Sequence, residues 1–311
     1  MYVFRKNLIS FSINASKFIL YFLVLISLIS SCEKKDDSKV DLLLALTALQ
    51  PQSPDQASNY DRDVRIITHT VQVFPLNCEV DYTEEDLNFI IEILKREIAR
   101  YPRGYWIKAG IDSVMLCRNL GSLGRNRRNL GGLTDILSKT IFLNVADGIG
   151  RNAQIYDDVT STFISPFEYY ARLGVIHHEL THAVDFSLMG LLGFSFFDPA
   201  WEQLNYPGFL YGNSYDLENP TVNINAFSHP LPGFVTLYAT TNHMEDRAEI
   251  GEGIMGSISD YNRLIQFCQS DPIISAKVKR TISEWKKFWP FPGAENSDWK
   301  IKITATESAC N

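Results

Sequence analysis

The chain has 311 residues, of which 45% are hydrophobic and 21% are charged, a composition typical of a globular protein with one large domain or two small ones. Its 29 basic and 36 acidic residues give a formal net charge of −7. Because nucleic-acid-binding domains depend on concentrated positive charge, this balance excludes a polycationic footprint and predicts no nucleic-acid partner. The chain also has 5 cysteines, and their interpretation depends on the compartment that the protein occupies.

The N-terminus has the pattern of an export signal. Basic residues precede an uncharged apolar run at 18–29, which is too short to cross a bilayer comfortably but has the length of a signal-peptide core. The run leads into Cys32 through a segment that resembles the lipoprotein box of bacteria, in a relaxed form because Ile29 and Ser31 depart from the strict pattern. The resemblance implies that residues 1–31 are removed and that Cys32 is lipidated, which anchors the protein to a membrane. A simple secretory signal cleaved elsewhere is the alternative. Both predict export to the cell envelope, as a periplasmic or outer-surface protein.

Residues 32–60 are predicted to be a tether, because charged residues and a Gln/Pro/Ser-rich stretch leave few side chains that could form a core. Residues 61–311 then form the globular domain. In an oxidising compartment, the cysteines beyond Cys32 predict two disulfides, with three possible pairings that the sequence does not rank. Buried free thiols are the alternative. These cysteines are Cys78, Cys117, Cys268 and Cys310.

The first half of the domain predicts one helix and several strands. A long amphipathic helix reaches Arg100 before Pro102 stops it, and a loop rich in Gly, Asn and Arg covers 121–132. Strands are predicted at 64–74, at 105–117 as one strand or a pair, and at 140–145. This order, followed by the helices described next, predicts an α+β fold.

The next helix carries the most specific motif in the chain. His178 and His182 are four residues apart with Glu179 directly after the first, which is the His-Glu-x-x-His spacing of zinc peptidases. On a helix both imidazoles lie on one face and can reach one metal ion, while the carboxylate lies at the rim of that face. Apolar residues recur at steps of three and four through the segment, with Ser165 as N-cap and Gly190 at the end. The motif is therefore predicted to fall well inside an amphipathic helix.

A catalytic zinc site usually takes three protein ligands and keeps a fourth position open. The metzincin pattern requires glycine and histidine three and six residues after His182, but Asp185 and Leu188 stand there, which excludes that class. A further predicted helix carries Glu245 and Glu249 at positions i and i+4. One of them can bind zinc while the other hydrogen-bonds a ligating histidine, and helical geometry alone does not rank the two. Asp185 can orient a ligand or a loop of the site, with a solvated helix acid as the alternative.

These motifs together resemble one group of metallopeptidases. Tyr238, Glu245 and Glu249 follow the order Tyr-x6-Glu-x3-Glu. With the His-Glu-x-x-His segment, this resembles the catalytic domain of anthrax lethal factor and its relatives, including the Pro-Pro endopeptidases, and is similar to the gluzincins generally. Residues 201–212 also resemble a less characterised family of bacterial zinc-binding metallopeptidase lipoproteins. The resemblance spans 165–256 and implies a zincin-like fold with a small mixed sheet and one zinc ion per chain. It makes Glu245 the third ligand, Glu249 a residue behind the ligands and Tyr238 a transition-state donor.

The roles so assigned predict a membrane-anchored zinc endopeptidase whose substrate is a peptide or protein. Zinc would activate a water molecule, Glu179 would act as the general base and Tyr238 would stabilise the oxyanion. The strand nearest the motif helix is expected to pair with an extended peptide. A surface lipoprotein that uses the same fold for binding or adhesion, with lost or incidental activity, is the alternative. The sequence gives neither the cleavage specificity nor the oligomeric state.

Overall fold

The structure is a computed structural model that describes residues 55–69, 76–78, 84–117, 120–122, 127–128, 131–144, 155–157, 162–164, 174–196, 198–212 and 224–311. The predicted signal segment, Cys32 and the predicted N-cap Ser165 lie outside these ranges, as does most of the tether. Contacts divide the chain after Asp55, and the unit Gln56–Asn311 contains every element named below. None of the described helices is long and apolar enough to span a bilayer.

Short strands build the sheets of this unit. The described strands are β1 (Arg65–Ile67), β2 (Leu76–Asn77), β3 (Ser113–Cys117), β4 (Gly121–Ser122), β5 (Arg127–Arg128), β6 (Gly132–Asp135), β7 (Thr140–Asn144), β8 (Ile155–Asp157) and β9 (Thr162–Ile164). The main sheet has the order β1–β3–β7–β6, in which β1, β3 and β7 are parallel and β6 is antiparallel to β7. The two central strands, β3 and β7, are almost completely buried, as expected for short apolar strands covered on both faces. Strand β6 therefore lies at one end of the described sheet.

Helices make up the rest of the unit. The described α-helices are α1 (Glu84–Ala99), α2 (Tyr105–Lys108), α3 (Val175–Phe196), α4 (Pro199–Glu202), α5 (His243–Met255), α6 (Ile258–Ser270), α7 (Pro272–Phe288) and α8 (Asp298–Ala309). Short 3-10 helices lie at Ala57–Tyr60 and Tyr238–Thr240. Helix α3 packs against α5 on one side and against β6 and β7 on the other. The predicted α+β class, with a small mixed sheet, is confirmed.

One predicted strand is partly a helix. Residues 105–117 predict extended chain, but Tyr105–Lys108 form α2 and only Ser113–Cys117 are extended. Gly104 adopts the left-handed φ of 86° that turns the chain into α2, and the first three side chains of that helix are buried. A fully buried apolar run has no polar face, so its periodicity does not distinguish a helix from a strand.

The predicted loop at 121–132 is also partly wrong, because it contains β4, β5 and the first residue of β6. The predicted helix end at Gly190 is a break rather than a stop. Gly190 has φ 68° and ψ 177°, after which the chain becomes helical again as far as Phe196. Only glycine adopts such a combination without steric cost, so the sequence signal was correct about the interruption.

Two disulfides are present, as predicted, and the structure supplies the pairing. Cys78 bonds to Cys117 at the end of β3, and Cys268 of α6 bonds to Cys310 just after α8. The alternative of free thiols is therefore wrong for these four residues. Each bridge closes a loop of 39 or 42 residues. In the chain-entropy model such a loop contributes roughly 4 kcal/mol to stability.

Candidate metal centre

The candidate site lies between α3, which carries the His-Glu-x-x-His motif, and α5, which carries the two predicted acids. The helices approach closely because Gly251 of α5 lies against Thr181 of α3, where an added Cβ would collide with the threonine hydroxyl. That hydroxyl donates to the carbonyl of His177 at 2.8 Å, one turn earlier on the same helix. The close approach allows the acids of α5 to reach the histidines of α3.

Helix α5 begins immediately before the acids. The side chain of Asn242 accepts hydrogen bonds from the backbone N–H groups of Met244 and Glu245, at 2.9 and 3.0 Å. This N-cap fixes Glu245 in the first turn of the helix. The helical repeat then places Glu249 and Glu252 about one and two turns further along the same face.

Three donor atoms converge on one point. Oε2 of Glu245 lies 3.0 Å from Nε2 of His178 and 3.3 Å from Nε2 of His182. The two Nε2 atoms are 3.1 Å apart. All three side chains are at least partly buried, so solvent does not separate the donors. The structure therefore brings together the three residues that the sequence singled out as metal ligands.

The spacing of these donors fits a small divalent ion. Ligand atoms bound tetrahedrally at about 2.0–2.1 Å, as nitrogen and oxygen are around zinc, lie roughly 3.3 Å from one another. The observed separations of 3.0, 3.1 and 3.3 Å are close to that value. Two imidazole nitrogens and a carboxylate oxygen also form the donor set that suits zinc.

The far side of His178 is held by two further acids. Its Nδ1 lies 3.0 Å from Oε1 of Glu249 and 3.6 Å from Oε2 of Glu252. Thr236 donates its hydroxyl to the other oxygen of Glu249 at 2.8 Å. These groups also form a second possible ion-binding set around Nδ1. A neutral imidazole has a single nitrogen lone pair, so His178 can serve only one of the two sets.

The charges of the site are unbalanced toward the negative. Burial opposes a positive charge on His178, but hydrogen bonds with Glu245, Glu249 and Glu252 outweigh it and raise the pKa of the imidazole well above its ordinary value. Burial likewise opposes ionisation of Glu245, yet the two histidines lower the pKa of its carboxyl far below the usual range. The two shifts have one cause, because each imidazole favours the ionised form of Glu245 and the carboxylates favour the protonated form of His178.

Glu179 lies at the edge of the cluster, in contact with the sheet. Burial raises the pKa of its carboxyl. Thr134 of β6 lies with its hydroxyl oxygen 2.8 Å from Oε2 and 2.7 Å from the backbone carbonyl of Glu179. The motif carboxylate is therefore fixed by a strand, which the spacing of the motif alone did not indicate.

Tyr238 approaches the same centre from the 3-10 helix at Tyr238–Thr240. Its ring centroid is 5.9 Å from that of His178. Burial and the negative charge of Glu245 raise the pKa of the phenol. The hydroxyl therefore keeps its proton at neutral pH and can act as a donor.

Asp185 is placed differently from the other predicted site residues. Its two oxygens accept hydrogen bonds from Arg247 of α5 at 2.8 and 3.0 Å, and both side chains are buried. It is therefore neither a solvated helix acid nor, in the described structure, a partner of a candidate ligand. The pair links the motif helix to α5 beside the candidate site.

Three further residues at or beside the site were not predicted from the sequence: Glu252, Arg247 and Thr134. Glu252 stands seven residues after Glu245, so the same helical spacing that selected Glu249 could have found it.

His177, next to the motif, points away from the cluster. Its Nε2 lies 3.0 Å from Glu97, and its Nδ1 lies 2.9 Å from the hydroxyl of Tyr101.

Among solved structures, one is similar to this chain. It is a crystal structure from Bacteroides caccae ATCC 43185, described as that of a "putative zinc-binding metallo-peptidase". The two chains are 16% identical with a TM-score of 0.45, and the match covers 81% of this chain and 88% of the other. No protein-family model and no curated protein sequence matches the chain. The case for a metal centre therefore depends on the donor atoms themselves.

Proposed function

We propose that this chain is a zinc-dependent endopeptidase, with zinc held by His178, His182 and Glu245. The observation that carries the proposal is the convergence of their three donor atoms, all within 3.3 Å of one another, beside the buried carboxylate of Glu179. The geometry also supports the roles that the resemblance implied for the two acids, with Glu245 as the ligand and Glu249 behind the ligands. Glu245 faces both Nε2 atoms, while Glu249 lies behind His178 on Nδ1.

A bound zinc ion would supply a Lewis acid that polarises the scissile carbonyl and makes a water molecule more acidic. Glu179 would take the proton from that water and deliver it to the departing amine. The Nδ1–H of His178 would donate to Glu249, which fixes the tautomer with its Nε2 lone pair toward the centre. Tyr238, which keeps its phenolic proton, would donate to the oxygen that becomes negative during the reaction.

The peptide is proposed to lie along β6. Among the described strands it pairs only with β7, and we propose that an extended peptide pairs with the backbone groups of its other edge. Thr134 of the same strand contacts Glu179. A peptide on that edge would therefore pass close to the proposed general base.

Export and anchoring are proposed from the sequence alone. Cys32 follows a segment that resembles a lipoprotein box, and its lipidation would attach the catalytic unit to a membrane of the cell envelope. Residues 32–60 would then serve as the tether.

The test is peptide-library cleavage by the full-length protein in mild detergent, with zinc measured on the same sample. Glu179→Gln should lower the cleavage rate by roughly 100- to 10,000-fold, the usual range for a general base, while retaining one zinc per chain. Glu92→Gln, which alters an exposed acid on α1, should leave both values unchanged. Stoichiometric zinc without turnover would instead favour the binding or adhesion protein. A wild-type chain that takes up no zinc would refute the ligand assignment.

A further inference from the structure

Strand β6 presents two alternate residues to the motif carboxylate. Side chains at i and i+2 of a strand lie on the same face, and here these are Gly132 and Thr134, both in contact with Glu179. Leu133, between them, packs on the opposite face with Phe142 and the buried residues around it. The face of β6 toward α3 is therefore shaped around Glu179.

Thr134 can hold one oxygen of that carboxylate. Its hydroxyl lies 2.8 Å from Oε2 and 2.7 Å from the backbone carbonyl of the same residue. A hydroxyl has one hydrogen, so the two acceptors share it. Because a glutamate side chain has three rotatable dihedrals, a donor at Oε2 removes much of its freedom to turn away from the cluster.

Gly132 gives the other half of the carboxylate its space. A Cβ at this position would stand 2.7 Å from Cγ and 2.8 Å from Oε1 of Glu179, closer than real Cβ atoms approach. Any side chain at 132 would therefore displace the carboxylate or the strand. Register fixes both contacts, because Gly132 pairs with Leu143 and Thr134 pairs with Ile141 of β7.

We propose that Thr134 and Gly132 are positioning residues that hold Glu179 in the conformation needed for proton transfer. The inference rests on the proposed peptidase function and extends it, since the recorded contacts of both residues described here are with Glu179 and neither residue supplies a reacting atom. Thr134 acts by donating to Oε2, and Gly132 acts by leaving the space that the side chain occupies. Sheet register is thereby linked to the activity of the motif helix.

If Thr134 had only a structural role, its substitution would have a different effect. The bond to the backbone carbonyl of Glu179 alone would only join β6 to α3, and its loss would lower stability without a specific effect on turnover. Thr134→Val removes the hydroxyl at nearly constant shape, while Thr134→Ser keeps the hydroxyl and removes a methyl group. Thr304→Val changes an exposed helix threonine and serves as the matched control.

The first experiment measures kcat, KM and zinc content of the full-length variants on a peptide cleaved by the wild type. Loss of a hydrogen bond to a charged group should lower kcat of Thr134→Val by roughly 10- to 100-fold. KM should change by less than about threefold and zinc should stay at one per chain, because the bond concerns the base rather than peptide or metal binding. Thr134→Ser should restore most of the rate. Equal losses in the Val and Ser variants, or a normal kcat in the Val variant, would overturn the proposal while leaving the peptidase assignment intact.

The second experiment does not depend on turnover. Acetohydroxamic acid chelates zinc, and the proton that it gives up can be taken by a nearby carboxylate, so its affinity reports the position of Glu179. Calorimetry on the zinc-loaded proteins should show about tenfold weaker binding to Thr134→Val and near-normal binding to Thr134→Ser. In a Glu179→Gln background, Thr134→Val should have no further effect, because the residue acts through that carboxylate. Additive losses would contradict the proposal. If no peptide is cleaved by the wild type but this pattern holds, the positioning role stands and the proposed reaction does not.

Discussion

The charged residues on two faces of α5 have different partners. The acids that face α3, Glu245 and Glu249, stand with Glu252 around two histidines. The residues between them on the helix, Asp246 and Arg247, enter buried ion pairs with neighbouring elements. Helix α5 therefore has one side on which the acids pair with Lys or Arg and another on which the recorded ion pairs of the acids are with histidine.

The first side, which we call the clamp, consists of three cations and the four acids that they pair with. The cations are Arg247, Lys277 and Arg280, and the acids are Asp185, Asp198, Asp246 and Glu284. Arg247 bonds to Asp185 of α3, to Asp198 before α4 and to Glu284 of α7. Lys277 lies 2.7 Å from Asp246, and both side chains are completely buried. Since a buried charge is costly unless it is paired, the clamp fixes α5 against its neighbours.

The second side, which we call the socket, contains the imidazoles of His178 and His182 and four carboxylates, those of Glu179, Glu245, Glu249 and Glu252. Among the described residues, the recorded ion pairs of these carboxylates are with histidine and none is with Lys or Arg. A divalent cation would supply the charge that the protein does not. A buried acid alone is therefore weak evidence for a metal site, because an acid that is paired with Lys or Arg needs no metal ion to balance its charge.

The largest expected effect is on the clamp. Arg247→Met keeps much of the side-chain volume but leaves Asp185 without its cation, which should lower the free energy of unfolding by about 3–5 kcal/mol. Urea unfolding of the metal-free protein measures this value. Arg62→Met, which alters an exposed ion pair with Asp112, should stay close to the wild type. A loss no larger in Arg247→Met than in this control would show that the clamp does not stabilise the fold.

The socket was far easier to predict than the clamp. His178 and His182 are separated by one helical turn, as are Glu245 and Glu249, so a local rule was enough to place each pair on one face. Helix α5 ends at Met255, and its start is marked by Asn242, a residue type that favours N-caps. The convergence of the two pairs depended on a resemblance, because no local rule relates residues 67 positions apart.

The clamp could not be found in the same way. Asp185 and Arg247 are 62 residues apart, and nothing in either neighbourhood indicates the partner. Asp185 was predicted to orient a ligand or a loop of the site, with a solvated helix acid as the alternative, and neither interpretation pointed to a buried arginine partner. The contact of Thr134 with Glu179 was missed for a related reason: the strand that carries it falls partly within a segment rich in Gly, Asn and Arg, a composition that favours loops.

The next effect concerns Glu97 of α1, which contacts α3 at His177, next to the socket. Burial opposes its ionisation, but the hydrogen bond with His177 and the charge of Arg100 outweigh it and lower the pKa of Glu97 from 4.5 to about 2. A carboxyl with a lowered pKa contributes stability above its unfolded pKa, and this contribution is lost as the pH falls through the folded value. Between pH 5 and pH 2 the metal-free protein should therefore lose up to about 3 kcal/mol that depends on Glu97.

Glu97→Gln tests whether Glu97 stabilises the fold through its negative charge. Its unfolding free energy should be lower than that of the wild type at pH 5, and the difference should shrink toward pH 2. Glu295→Gln, at an exposed position, should follow the wild-type curve throughout. A constant difference across the range would show that Glu97 contributes by packing and not by charge.

The smallest expected effect belongs to the socket and concerns metal affinity. Thr236 donates to Glu249 at 2.8 Å, and Glu249 in turn holds Nδ1 of His178. Thr236→Val should weaken zinc binding by about tenfold, the lower end of the range for residues that orient a ligand from behind, whereas Thr236→Ser should bind nearly as the wild type does. Competition with a zinc chelator measures both.

Thr236 also accepts a hydrogen bond from the backbone of Ala239, so the valine variant should lose some stability even without metal. The serine variant removes that ambiguity, because it keeps the hydroxyl. Equal affinity in the wild type and both variants would mean that the hydrogen bond from Thr236 to Glu249 does not contribute to zinc binding.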